Sequence, residues 1–332
     1  MAVIKTKPEK VVAFFLEMLQ RELVTPLVVT RVGQDLFKGA KDDTVTLRIG
    51  GLRAVARDYE WRTRTAPIVL DDIQGEDGID IKLDTHSYSA TALTDEQMTL
   101  DEINFAQDVL APQVAAVTDR YEGKVVSGLR TAVFKEEIDI TADTDPHLVG
   151  VESRRLVDAN KVAPRSGRFF LIGSDIEAAW LASDRLSKYE STGQEGTPAL
   201  RDAIIGRLAG APVVVSTALD PDEGFYLHKS ALVLANVAPV VPSGATTGRT
   251  GISRNGFAVR WIQDYDPNYL RDRSVVSSFI GVNDVRDERD PATGLVRADD
   301  WDWDGGGAGT DVGPRNVRGL KFNFTGGGSV LP

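Results

Sequence analysis

An α+β fold of two or three lobes is what this sequence predicts, and three observations predict it. One long stretch carries apolar side chains at helical spacing, several segments alternate apolar and polar residues, and one region reads strand, helix, strand, helix. Length agrees, because 332 residues exceed what one ordinary core accommodates.

The first element is an arm, residues 1–43. Val11, Val12, Phe15, Leu16, Leu19 and Leu23 repeat at helical spacing, so an amphipathic helix is expected that docks on a surface. A signal peptide is the competing reading, but Glu17, Arg21 and Glu22 interrupt the apolar run and no small-residue cleavage site follows. Next, TVTLRI (Thr44 to Ile49) alternates as a strand.

Between Leu52 and Leu83 the charges are divided. Arg53, Arg57, Arg62 and Arg64 occupy the first half, and Asp71, Asp72, Glu76, Asp77 and Asp80 the second, around the turn QGEDG. With so few large apolar residues, a long hairpin here cannot bury itself. Two readings stay open. One is a solvated hairpin with cross-strand ion pairs worth about 0.2–1 kcal/mol each. The other is an arm that lies on a neighbouring subunit and presents opposite charges to it.

His86 to Leu93 alternates again. Thr99 and Glu102 then form a T-x-x-E capping box before a helical stretch running to Ala132. Ile103, Val109, Leu110, Val114, Val117, Tyr121, Val125 and Leu129 form its stripe; Pro112 either kinks the helix or opens a second one in its first turn. A further helix is expected over Leu148 to Val162, a buried strand over RFFLIG, and a helix over SDIEAAWLAS with Ser174 as N-cap. From Gly206 to Pro239 a β-branched run leads through a polar turn to an apolar stretch read as helical, completing an α/β lobe. FAVRWIQDYD and SVVSSFIGVNDV are two closing strands. Past Asp284 comes an acidic, Gly-rich segment and then one more strand, VRGLKFNF.

Chemistry is sparse. There is no cysteine, hence no disulfide, thiolate zinc site or cysteine nucleophile. His86, His147 and His228 fall in different elements and in no metal-binding pattern, and His228 reads as a junction histidine bonding the backbone. Nucleophile elbows and phosphate-binding glycine loops are missing, and 49 acidic residues single out no catalytic pair. No apolar run is long enough to span a bilayer. The formal charge of −11 excludes nucleic-acid binding by general counterion release. One cofactor candidate remains. DWDWDGGGAGTD matches a calcium loop, with Asp300, Asp302, Asp304 and Asp311 as oxygen donors and Gly305 at the sharp turn. Gly307 replaces the usual aliphatic residue and neither flank is helical, so an acidic tail is the alternative.

The order of parts, with "ALRDAIIGRLAGAPVVVSTAL" leading to "HKSALVLANVAP" and "GFAVRWIQDYDPNYLRDRSVVSSFIGVNDVRDE" closing, resembles the major capsid proteins of tailed double-stranded DNA phages. Within these it is similar to the branch of the short-tailed enteric phage coat proteins, and the resemblance covers about Val11 to Asp287. It implies a Hong Kong 97 fold. Residues 44–51 and 84–167 would be the P-domain, with a spine helix at about 103–132. Residues 52–83 would be the E-loop, 168–255 the A-domain and 256–287 the closing strands. Residues 288–332 would be an acidic, Gly-rich C-terminal extension beyond the part that the resemblance covers.

The resemblance also implies a non-enzymatic protein forming pentamers and hexamers of an icosahedral shell around DNA, found in the virion and assembled in the host cytoplasm. A separate scaffolding protein and a portal would be its partners, with no membrane. An encapsulin-like compartment shell and a viral tail or decoration protein are the rival readings.

Overall fold

A computed structural model describes residues 9–13, 15–16, 23–33, 37, 44–48, 62, 67, 78–94, 109–160, 162, 166–183, 206–245, 247–252, 257–286 and 315–325. Two six-stranded sheets share one long helix. Its range is Ala111–Thr131, and it follows a short helix at Thr25–Val28; the two are α2 and α1. Pro112 stands in the first turn of α2, where a missing N–H costs nothing. Val114, Val117, Tyr121, Val125 and Leu129 fall on one face and are buried.

The first sheet contains β1 (Thr30–Val32), β4 (Thr85–Thr94), β10 (Leu232–Val237), β11 (Thr247–Ile252), β12 (Ala258–Asp266) and β13 (Arg271–Asp284). β4 runs along one edge of β13, opposite Arg271 to Ile280. β12 pairs with residues 271–277 of β13 and β10 with residues 279–284, so these two lie end to end along its other edge. Leu232, Leu234, Val259, Trp261, Val276 and Ile280 pack with α2 and with Val11, Val12, Phe15 and Leu16 of the arm. The expected arm helix is present at 9–13 and 15–16, docked on this chain's own body.

The second sheet is ordered β5 (Phe134–Thr141), β14 (Asn316–Thr325), β9 (Glu223–His228), β6 (Arg168–Ile172), β8 (Ala211–Val215), β7 (Arg207–Leu208). One face buries Phe170, Tyr226 and Phe322 beneath α3 (Pro146–Ala159) and α4 (Ser174–Ala182), which contribute Val157, Ile176 and Trp180. The other face, with Leu171, Phe225 and Leu227, meets Leu129 near the end of α2. A two-stranded ladder of β2 (Thr44–Arg48) and β3 (Gly78–Lys82) completes the set.

Three local expectations are corrected. The apolar stretch read as a helix after His228 is the strand β10. Leu234 faces α2 while Val233 and Ala235 meet Val32, Ile81 and Val285, so both faces are covered and no alternation shows. Ser174 is the first residue of α4, not its cap; Gly173 is the N-cap, where a Cβ would lie 2.3 Å from the Asp220 carbonyl oxygen. Residues 316–325, placed in a C-terminal extension, form a central strand, because Leu320 and Phe322 need cover that only a sheet interior supplies. The lobe boundary also moves, since β10 and β11 belong to the first sheet. By contrast Gly206 and Gly210 do permit the expected turns, at φ of 72° and 87°.

Candidate assembly surface

The end of the charged segment, β3 and its link to β4, is braced against the body. Ile81 is buried with Val32, Val233, Ala235 and Val285. Lys124 of α2 pairs with Asp84 at 2.9 Å, and Asn283 of β13 donates to the Lys82 carbonyl at 3.5 Å. Gly281 of β13 lets this carbonyl approach, since any Cβ there would stand 2.0 Å from it. Of the divided charges, Arg62 is described and exposed, and Asp80 is exposed on β3 opposite Thr46. Arg53, Arg57, Arg64, Asp71, Asp72, Glu76 and Asp77 lie outside the described residues, as do the Thr99–Glu102 box and the calcium-loop residues Asp300, Asp302, Asp304 and Asp311.

A buried carboxylate fastens the arm. Glu122 of α2 accepts the N–H groups of Val24 and Thr25, at 2.5 and 3.0 Å, and so satisfies donors at the start of α1. Thr25 Oγ1 donates to Ser216 Oγ at 3.1 Å, and Arg249 of β11 pairs with Glu9 at 2.7 Å. Such exposed pairs orient more than they stabilise.

The histidines stay apart. His86 is exposed and tilts against Phe279, with ring centroids 4.5 Å apart; His147 is exposed in the first turn of α3. His228 is buried where the chain crosses between the sheets. Its Nδ1 lies 2.7 Å from Ser230 Oγ and accepts the Ser230 N–H, a backbone bond as expected; Nε2 makes no hydrogen bond of proper geometry. Among the described residues, no group of three or more histidines and carboxylates is placed to hold a metal.

Burial, aided by Arg318, Arg168 and Lys229, pulls the His228 pKa below its ordinary 6.5, against the Ser166 carbonyl, which raises it. The unfolded chain therefore takes up a proton first as pH falls. His228 makes no difference well above pH 6.5 and destabilises the fold progressively below it, down through the folded pKa. His228→Gln is expected to flatten the fall in melting temperature between about pH 7 and pH 5. Parallel curves for the two proteins would contradict this.

Solved structures that share this arrangement include phage capsids. A structure from Mycobacterium phage Che8 superposes with a TM-score of 0.59 at 16% identity, covering 91% of each chain. The capsid of cyanophage P-SCSP1u gives 0.57 at 10% identity over 92% of this chain and 88% of the other. The mature capsid of bacteriophage PhiM1 gives 0.51 at 12% identity over 93% and 88%. The chain thus has the mixed α+β fold of phage capsid proteins. No sequence family and no curated protein matches it.

Proposed function

We propose that this chain is a major capsid protein of a tailed phage. Its copies assemble as pentamers and hexamers into an icosahedral shell around packaged double-stranded DNA. The observation that carries this is the likeness to capsid subunits over about nine-tenths of the chain. In this reading the fold is of the Hong Kong 97 type, in the branch of the short-tailed enteric phages. The spine helix is α2, the E-loop is 52–83 and the helix-covered second sheet forms the axial lobe. The role is structural. A scaffolding protein and a portal are its partners, calcium at Asp300–Asp311 is an optional ligand, and the virion is its location.

A charge of −11 suits a wall around DNA, because like charge keeps the polyanion from adhering. The divided hairpin supplies a contact between copies of the kind that closes into rings. Negative-stain micrographs of the overexpressed chain are expected to show closed shells; a protein that stays monomeric at every concentration and ionic strength would overturn the reading. Reversing Arg62→Glu and Arg64→Glu together is expected to leave the subunit melting unchanged and to abolish shells. Normal particles from that variant would remove the hairpin from the interface.

A further inference from the structure

The link from β9 to β10, residues 229–231, ties the two sheets together. The Lys229 N–H donates to the Gly167 carbonyl at 2.9 Å, one residue before β6. The Lys229 carbonyl accepts the N–H and the hydroxyl of Thr30 in β1, both at 2.8 Å. The Ala231 carbonyl accepts the Val285 N–H at 3.0 Å, just past β13, and Asn316 Nδ2 of β14 at 2.9 Å. This short link thus fastens β1 and β13 of the first sheet to β6 and β14 of the second.

His228 stands at the start of this link, and its ring bonds no carboxylate. It lies directly opposite Arg168 of β6, and each residue is 4% exposed. Arg318 of β14, Arg168 and Lys229 bring positive charge to the ring, and Arg318 also donates to Ser230 Oγ at 2.9 Å. Asp158 of α3 is taken up by Arg168 at 2.7 Å and by Arg154 at 3.9 Å. Tyr226, next on this face of β9, stays neutral because burial raises its pKa. His228 Nδ1 accepts the Ser230 N–H at 3.3 Å, so the ring proton sits on Nε2. A second proton enters at Nδ1. There it deprives the Ser230 N–H of its acceptor and adds one more positive charge in a closed space.

We propose that this link is an acid-sensitive joint. Protonation of the His228 ring parts the bonds of residues 229–231, and the second sheet pivots on the end of α2 while each sheet stays folded. The pivot is a second join that this proton does not reach. Arg130 of α2 pairs with Asp220 and with Glu223, at 2.8 Å each. Burial raises the Glu223 pKa, but Arg130, the Asp220 N–H and Lys321 together bring it below its ordinary 4.5, so this pair persists at about pH 5. Acid therefore opens one join and spares the other, which makes the response a rotation. It is a property of one copy of the chain and does not rest on the shell reading.

Hydrogen–deuterium exchange of the full-length protein at about pH 7.5 and about pH 5, corrected for intrinsic exchange rates, tests the joint. The amides of Thr30, Lys229 and Val285 are expected to lose protection roughly tenfold at the lower pH, while those of Val117 to Val126 in α2 and of Glu223 keep theirs. His228→Gln is expected to abolish the loss. Lys229→Glu alters an exposed side chain and puts a carboxylate beside the ring; it is expected to reduce the loss roughly threefold or more, and it decides the matter if His228→Gln does not fold. A loss that spreads through α2 is unfolding of the whole chain and overturns the joint. So does unchanged protection at about pH 5, or an undiminished loss in either variant.

Discussion

Gly281→Ala is expected to cost roughly 3 kcal/mol of folding stability and to loosen β3 and its link to β4. The added methyl would meet the Lys82 carbonyl oxygen at 2.0 Å, the Lys82 carbonyl carbon at 2.9 Å and the Leu83 Cα at 3.1 Å. All three are backbone atoms, so no rotamer change relieves the clash. Either β13 bends away from Ala235, its partner in β10, or the link between β3 and β4 lifts off the sheet. The denaturation midpoint measures the loss, and faster proteolysis around residues 78–84 locates it. Gly123→Ala is the control. Nothing lies within 4 Å of its Cβ position on α2, so that variant is expected to gain roughly 0.5–1 kcal/mol. Equal midpoints for Gly281→Ala and wild type would refute the close approach of the Lys82 carbonyl to β13.

The second large effect belongs to Asn236. Where β10 ends and β12 begins along one edge of β13, the ladder is interrupted, and this side chain fills the gap. Its Oδ1 accepts the Ala258 N–H. Its Nδ2 donates towards the Phe279 carbonyl at 3.2 Å and towards Tyr121 Oη and Ser278 Oγ, which lie 2.9 Å from each other. Burial raises the Tyr121 pKa far beyond any working pH, more than its bonds to Ser278 and Asn236 lower it, so its hydroxyl stays protonated. Asn236→Leu keeps the volume and strips away the bonds, leaving the Ala258 N–H buried without its acceptor. A loss of about 2–4 kcal/mol is expected, against about 1 kcal/mol for Tyr121→Phe, whose partners still bond each other. A double variant whose loss equals the sum of the two would show that the network does not act as a unit.

Readability from sequence followed the number of sides on which an element is covered. α2 and β4 each show a periodic face, because one side packs and the other meets water. β10 is covered on both sides, so its apolar run carries no period and its type was misread. The strand VRGLKFNF was visible, but its place between β5 and β9 depends on partners far away in the chain. The candidate surface divides similarly. Arginines and acids in the hairpin stand out by composition alone. No pattern marks Asn236 or Glu122, which act through contacts that only the tertiary structure creates.

The central position of β14 sets a schedule for biosynthesis. The sheet it completes has already contributed β5, β6 and β9 to the nascent chain, yet β5 pairs with nothing in that sheet except β14. Roughly ninety residues separate the end of β9 from the start of β14, about 5–18 s of ribosome time at ordinary elongation rates. Until they emerge, Phe170 lacks its Phe322 neighbour and β9 keeps an open edge. On the shell reading proposed above, a copy becomes competent to join others only once β14 has been made.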